Sequence, residues 1–288
     1  MPITNTPLRY PGGKSSLSSF LAQILTLNDI QGGTYIEPYA GGGGAALNLL
    51  YQGNVKHVVI NDFDPTIYAF WVSVLNETDE FAYRISSVPL TIAEWHRQKD
   101  ILKTDYRQNL FDVGFAAFYL NRCNRSGIIK AGPIGGQQQR GPYKIDARFN
   151  RENLIKKIRR IESHKDRISV YNRDAIDLLQ EIVPSINGPK LVYLDPPYYK
   201  KGPQLYLNSY ENDDHENLAW VLAKTSRSDF WVLTYDDAQE IRALYQDSIA
   251  LTYTLNYSAN YSKPGRELLI SPPWLMLPSN MGARFLLV

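Results

Sequence analysis

Short apolar stretches rich in β-branched and aromatic residues recur along this chain, and most are followed by a helical pattern. Thr34–Glu37 reads as a strand and Ala45–Tyr51 as a helix; Val55–Asp62 and Pro65–Asn76 repeat the pair. Ile168–Asp174 then leads to a helix over Ala175–Ile182, Leu191–Asp195 to one over Asp213–Lys224, and Phe230–Tyr235 to one over Ala238–Gln246. Strands alternating with helices at this spacing predict a parallel doubly wound sheet. The last two strands, Leu251–Tyr261 and Glu267–Ser271, are joined by Ser-Lys-Pro-Gly and read as a hairpin, so the sheet should end with an antiparallel strand. The rhythm breaks between about 78 and 165, where helical patterns precede a Gly-, Pro- and Gln-rich loop. This predicts a core of 1–77 and 166–288 with 78–165 as an inserted, mostly helical domain carrying a basic hairpin or loop.

Charge changes that picture. Residues 121–160 hold eleven Lys and Arg against two acids, a local excess of +9 in a chain of net charge +2, which leaves −7 for the rest. A basic block inside an acidic chain suggests a polyanion surface; a solvated helix over 151–160 is the plainer reading of its second half. A single cysteine among 288 residues excludes an intrachain disulfide and fits a reducing compartment. The four histidines are scattered without zinc spacing, so no metal is expected. No apolar run approaches the ~18 residues of a membrane span, and the amino terminus lacks the apolar stretch of a signal peptide. These readings predict a cytoplasmic protein.

Two segments carry candidate chemistry. Glu37-Pro38-Tyr39-Ala40 ends a strand and runs into Gly41-Gly42-Gly43-Gly44, with Asp62 at the end of the next strand. A glycine turn followed by an acid that can take ribose hydroxyls predicts a nucleoside-containing cofactor. NAD and S-adenosylmethionine share this geometry. Glu37 favours the second, because a carboxylate can face the methionine ammonium and would repel a pyrophosphate. An earlier turn, Tyr10-Pro11-Gly12-Gly13-Lys14-Ser15, resembles the end of a P-loop, but Leu8 stands where the first glycine is needed; Lys14 could instead contact a cofactor carboxylate or a phosphate. The second segment, Asp195-Pro196-Pro197-Tyr198, follows a buried strand. Two prolines remove two backbone donors and leave a rigid rim of acceptors, which suits a substrate NH₂ group; Tyr198 offers a face on which a flipped base can stack.

In these motifs, and in VINDFDP, FYLNRCNRSGIIK, YNRDAIDLL and SKPGRELLI, nearly the whole chain resembles the Dam-type, D12-class (alpha-group) DNA N6-adenine methyltransferases. The resemblance implies a Rossmann-like sheet and transfer of a methyl group from S-adenosylmethionine to N6 of adenine in a short site of double-stranded DNA, with base flipping and direct in-line transfer. It implies a cofactor site of Tyr10, Gly12, Lys14, Glu37, Pro38, Tyr39, Gly41, Gly43, Asp62, Phe63, Asp174, Ala175 and Asp195. It makes Asp195, Pro196, Pro197 and Tyr198 catalytic, and puts Asn121, Arg122, Asn124, Arg125, Lys130, Gln138, Arg140, Tyr143 and Lys144 on the DNA. Tyr10 stands where the family has Trp, Tyr39 where it has Phe, and Ala175 where it often has Phe. A monomer with no membrane partner is expected, with a cognate restriction endonuclease as a possible associate.

Rival readings stay open at this level. Cytosine N4 transfer uses similar geometry, with Ser more often in place of Asp. C5 transfer needs a nucleophilic cysteine, normally after proline, and Cys123 follows Arg122. An NAD-dependent dehydrogenase would leave the Asp-Pro-Pro-Tyr segment and the basic block without a role. A DNA-binding module of the same fold without turnover is the non-enzymatic alternative.

Overall fold

A computed structural model describes residues 4–9, 14–199, 210–255 and 265–279. Seven strands form one sheet: β1 (Thr34–Glu37), β2 (His57–Asn61), β3 (Ile168–Tyr171), β4 (Lys190–Leu194), β5 (Phe230–Asp236), β6 (Ile249–Leu255) and β7 (Gly265–Ser271). Their order is β3-β2-β1-β4-β5-β7-β6. β7 runs antiparallel to both β5 and β6, while the neighbouring pairs from β3 to β5 are parallel. The expected antiparallel last strand is therefore present, inserted between β5 and the edge strand β6. The turn joining β6 to β7, where Ser-Lys-Pro-Gly was expected, lies almost wholly outside the described residues.

Side chains alternate across the pleat and divide the core. Tyr35, Val58, Ile60, Leu191, Tyr193 and Val232 point into one hydrophobic cluster. Their neighbours Ile36, Val59, Val192, Leu194, Trp231 and Leu233 point into the other. Both faces are apolar because helices cover both, as a parallel sheet requires. The first face carries α1 (Ser18–Leu27), α2 (Gly44–Tyr51), α3 (Pro65–Asn76), α4 (Thr78–Ser87), α5 (Ile92–Ile101), α6 (Leu110–Cys123) and α7 (Arg151–Glu162). The second carries α8 (Ala175–Asp177), which continues to Ile182 in wider turns, α9 (Asn212–Ala223) and α10 (Gln239–Leu244). Local chemistry sets several starts. Asp64 caps α3 by accepting from Thr66 N at 2.8 Å, with Pro65 at the first helical position; Thr91 and Asn150 cap α5 and α7.

The segment 78–165 adds helices to the first face and shares its hydrophobic core: Phe81, Phe115, Phe118, Phe149 and Leu154 belong to the same cluster as Phe70, Trp71 and the sheet residues. α6 lies directly on α3, and a Cβ at Gly114 would come within 2.5 Å of the Ala69 carbonyl oxygen. The sequence pattern did not single out α1. Among the described residues no helix is long and apolar enough to cross a membrane.

Because that contact has no slack, Gly114→Ala is expected to destabilise the fold by about 1–3 kcal/mol through overpacking. Thermal unfolding would show this as a fall of several degrees in Tm; an unchanged Tm would mean that the two helices can separate freely.

Candidate active site

The sheet order reverses between β1 and β4, the place where an open α/β sheet leaves a crevice at the carboxyl ends of its strands. Glu37 ends β1, Asp62 follows β2, and Asp195 follows β4. Beyond Glu37 the chain makes its glycine turn, with Gly41 at φ +49° and Gly43 at φ +57°. Only glycine takes this region without strain. The close approach that these glycines allow is partly to the protein itself. A Cβ on Gly43 would meet the Trp71 ring at 2.8 Å, and one on Gly44 would meet Ser15 Oγ at 2.1 Å. Trp71 Nε1 donates to the Gly41 carbonyl at 3.0 Å and fixes the loop from below.

The two acids of this loop sit in low-dielectric surroundings. Glu37 Oε1 accepts from Tyr35 OH at 3.0 Å and from Ala46 N at 3.1 Å. Burial pushes its pKa up to about 8, against the pull of those two donors. Asp62 accepts from Gly41 N at 2.8 Å through one oxygen and from Asp64 N at 2.9 Å through the other. Burial, and then the nearby Asp64 charge, push it up to about 7. Among the described residues no basic side chain forms an ion pair with either. Phe63, next to Asp62, is 56% exposed. Asp174 caps α8 through Ile176 N at 2.8 Å, and Ala175 is buried behind it. Pro38 is buried, and its carbonyl accepts from Asn61 Nδ2 at 2.9 Å. Tyr39 shares a 2.5 Å hydrogen bond with Tyr210 OH. Tyr10 and Gly12 lie outside the described residues.

The Asp195-Pro196-Pro197-Tyr198 segment forms the second half of the site. Asp195 Oδ1 accepts from Thr234 Oγ1 at 2.8 Å and lies 3.1 Å from Lys14 Nζ; Oδ2 takes no hydrogen bond from a described residue. Lys14 Nζ donates to Tyr198 OH at 2.7 Å and reaches Glu267 Oε2 at 3.4 Å. Tyr198 OH donates in turn to Glu267 Oε1 at 2.7 Å, and Tyr253 OH to Glu267 Oε2 at 2.6 Å. Burial alone would lower the Lys14 pKa, but Asp195 and Glu267 more than offset it and hold the ammonium protonated. Burial raises the Asp195 pKa; Lys14 opposes that rise and Glu267 adds to it. Lys14, expected at a cofactor carboxylate or a phosphate, pairs its ammonium with the acid of the tetrapeptide.

The sequence matches the model of the family described as D12 class N6 adenine-specific DNA methyltransferase over residues 10–261. The chain belongs to this family. It is 26% identical over 226 residues to the Type II methyltransferase M.MjaIII of Methanocaldococcus jannaschii, covering 73% of this chain and 75% of that one. Among solved structures, an rRNA methyltransferase from Streptomyces viridochromogenes aligns with a TM-score of 0.42 at 12% identity, over 93% of this chain and 88% of that one. A conserved hypothetical protein of Streptococcus pyogenes aligns with a TM-score of 0.31 at 13% identity, over 87% and 95%.

The residues of this methyltransferase expected on DNA fall into three groups. Asn121 and Asn124 are buried with their amides committed internally. Asn121 accepts from Arg9 N at 2.7 Å and donates to the carbonyls of Arg9 and Gly127. Asn124 accepts from Trp95 Nε1 at 2.6 Å and donates to Ile128 and Ile129 carbonyls. Neither amide is at the surface, so here the expectation is corrected: both hold the loop that follows α6. Arg122 is partly buried and donates to the carbonyls of Arg148 and Pro7. Burial, then the nearby Arg9, lower its pKa to about 10. Arg125, Lys130, Gln138, Arg140, Tyr143 and Lys144 are exposed on that loop, Tyr143 at 66%. Residues 128–150 have no helix or named strand; one antiparallel bridge joins Asn124 and Pro133. Cys123 is a core residue, its thiol pushed up to about 12 by burial.

Glu267, Thr234 and Tyr253 were not singled out by sequence reasoning. A lone acid at the head of the apolar run Leu268-Leu269-Ile270 is the signal that could have marked Glu267.

The raised acids give a pH test. A carboxyl with a raised folded pKa contributes stability below its unfolded value that is lost as pH rises through its folded value. For Glu37 that window runs from 4.5 to about 8. Glu37→Gln, which keeps an acceptor for Tyr35 and Ala46, should therefore raise the Tm of the ligand-free protein at pH 8 and leave it unchanged at pH 4. Equal effects at both values would show that Glu37 ionises normally.

Proposed function

We propose that this protein transfers a methyl group from S-adenosylmethionine to N6 of adenine in double-stranded DNA, and that the base is flipped into the crevice beside Asp195. The observation that carries the reading is Asp195 itself: a carboxylate anchored through Oδ1 by Thr234 and Lys14, with Oδ2 unbonded by any described residue, at the end of β4 and followed by two prolines.

The residues present suit the cofactor. Glu37 and Asp62 are acids without a basic partner among the described residues, which fits a ligand bearing an ammonium and ribose hydroxyls. Glu37 would face the ammonium, Asp62 the hydroxyls, the exposed Phe63 the adenine ring, and Asp174 its exocyclic amine. Bound there, S-adenosylmethionine supplies an electrophilic methyl group. Asp195 Oδ2 and the carbonyls of Asp195 and Pro196 accept the two N–H bonds of the target amine and keep the nitrogen lone pair available. The same acceptors stabilise positive charge as it develops on nitrogen, and the rigid proline pair holds them in place. Tyr198 gives the flipped base a flat face. The exposed basic loop of 125–144 lies along the phosphates, with Gln138 and Tyr143 within reach of base edges; segment 78–165 is thus the recognition element. The chain acts as a monomer in the cytoplasm.

Incubation with labelled S-adenosylmethionine and unmethylated DNA, followed by nucleoside mass spectrometry, should place the label in N6-methyldeoxyadenosine. Label in N4-methylcytosine would sink the assigned target. Asp195→Ala should lower transfer by at least about 100-fold while S-adenosylhomocysteine still binds; near-normal transfer would remove Asp195 from its role. Replacing Arg125, Lys130 and Arg140 together with Ala should weaken DNA binding and flatten its log–log salt dependence by about 0.9 for each phosphate that is no longer neutralised. An unchanged slope would mean that the loop does not touch the backbone.

A further inference from the structure

The Lys14 ammonium is shared between two carboxylates that differ in exposure. The Asp195 side chain is 19% exposed, whereas Glu267 is 2% and Lys14 5% exposed. Asp195 therefore meets the crevice, and Glu267 lies behind. Lys14⁺, Asp195⁻ and Glu267⁻ sum to one negative charge. With Glu267 neutral, Lys14 at 3.1 Å would compensate Asp195 in full. The amine would then face a neutral pair as positive charge grows on its nitrogen.

We propose that Glu267 is a positioning residue for methyl transfer: it holds Lys14 and Tyr198 from one carboxylate, and so keeps Asp195 a net anion at the mouth of the site. The proposal rests on the reading of Asp195 as the acceptor of the target amine. The topology explains the placement. β7 runs antiparallel to β5, so its first residues lie at the carboxyl edge of the parallel strands; there Glu267 pairs in register with Asp236 and with Tyr253. Each oxygen of Glu267 has a hydroxyl donor, Tyr198 on Oε1 and Tyr253 on Oε2. Among the described residues, the groups facing the Asp195–Lys14–Glu267 cluster include Tyr193 and Thr234 from β4 and β5, Tyr198 from the tetrapeptide, Tyr253 from β6, and Glu37 with Tyr35 from β1. Asp236 turns to Tyr199 N at 2.9 Å.

Glu267→Gln retains an acceptor oxygen and removes the charge. The wild-type protein is first assayed for N6-methyldeoxyadenosine, since absence of that product would fail the functional reading before Glu267 is judged. With product confirmed, Glu267→Gln should lower kcat by about 10- to 100-fold and leave the affinity for S-adenosylhomocysteine within about twofold. Glu267 raises the Asp195 pKa, so its neutralisation lets Asp195 ionise earlier, and the acidic limb of kcat/KM should move to lower pH. A folded variant with wild-type kcat, or with a reduced kcat and an unmoved limb, would overturn the proposal. The double variant Lys14→Met/Glu267→Gln removes the compensating cation as well, returns Asp195 to a net anion and buries no unpaired ammonium. Assayed at a pH above its own acidic limb, which the loss of Lys14 raises, it should recover about tenfold over Glu267→Gln, and it carries the test alone if the single variant fails to fold, when its kcat on that plateau should lie within about tenfold of wild type. A folded but inactive double variant would equally overturn the proposal.

Discussion

A buried ammonium must be paired, and Lys14 is paired with acids from two distant parts of the chain. That constraint organises the site. It draws Lys14 onto the carboxyl edge of the sheet, joins the end of β4 to the start of β7, and orients the Tyr198 hydroxyl between a donor and an acceptor. The antiparallel run of β7 is needed for this; a parallel strand in the same place would put its first residues at the opposite edge, away from Asp195.

Residues 4–9 are held by the helical part of the chain. Asn121 pairs with both backbone groups of Arg9, Arg9 Nη1 donates to the Asn124 carbonyl, and Lys157 reaches the Thr6 carbonyl. Gly127 lies so close that a Cβ there would sit 2.1 Å from the Arg9 carbonyl oxygen. The exposed basic loop therefore begins at the same buried asparagines that hold Arg9. One hydrophobic cluster links these helices to the sheet, so the surface that bears the positive charge and the acidic crevice are parts of one packed body.

The charge pattern follows the same division. Exposed Arg and Lys lie on an irregular loop, where solvent screens them and their side chains can move. The acids lie at strand ends, where burial raises the pKa of Glu37, Asp62 and Asp195. A ligand with positive charge and hydroxyl groups would relieve that cost at Glu37 and Asp62; Lys14 relieves part of it at Asp195.

Local pattern by itself determined the alternation of strands and helices, the antiparallel end of the sheet, and the motifs at Glu37, Asp62 and Asp195. Each of these is written in short-range periodicity, turn chemistry or contiguous residues. The family was legible for the same reason. Which way an asparagine or lysine side chain faces is not local. Asn121, Asn124 and Lys14 are polar residues beside glycine-rich turns, and on sequence alone they read as ligand contacts. Tertiary packing buried all three and gave them internal partners more than a hundred residues away for Asn121 and Lys14, and 29 residues away, at Trp95, for Asn124. Glu267 was hidden in an apolar strand because its role arises only when β7 pairs between β5 and β6 and sets that carboxylate against Lys14.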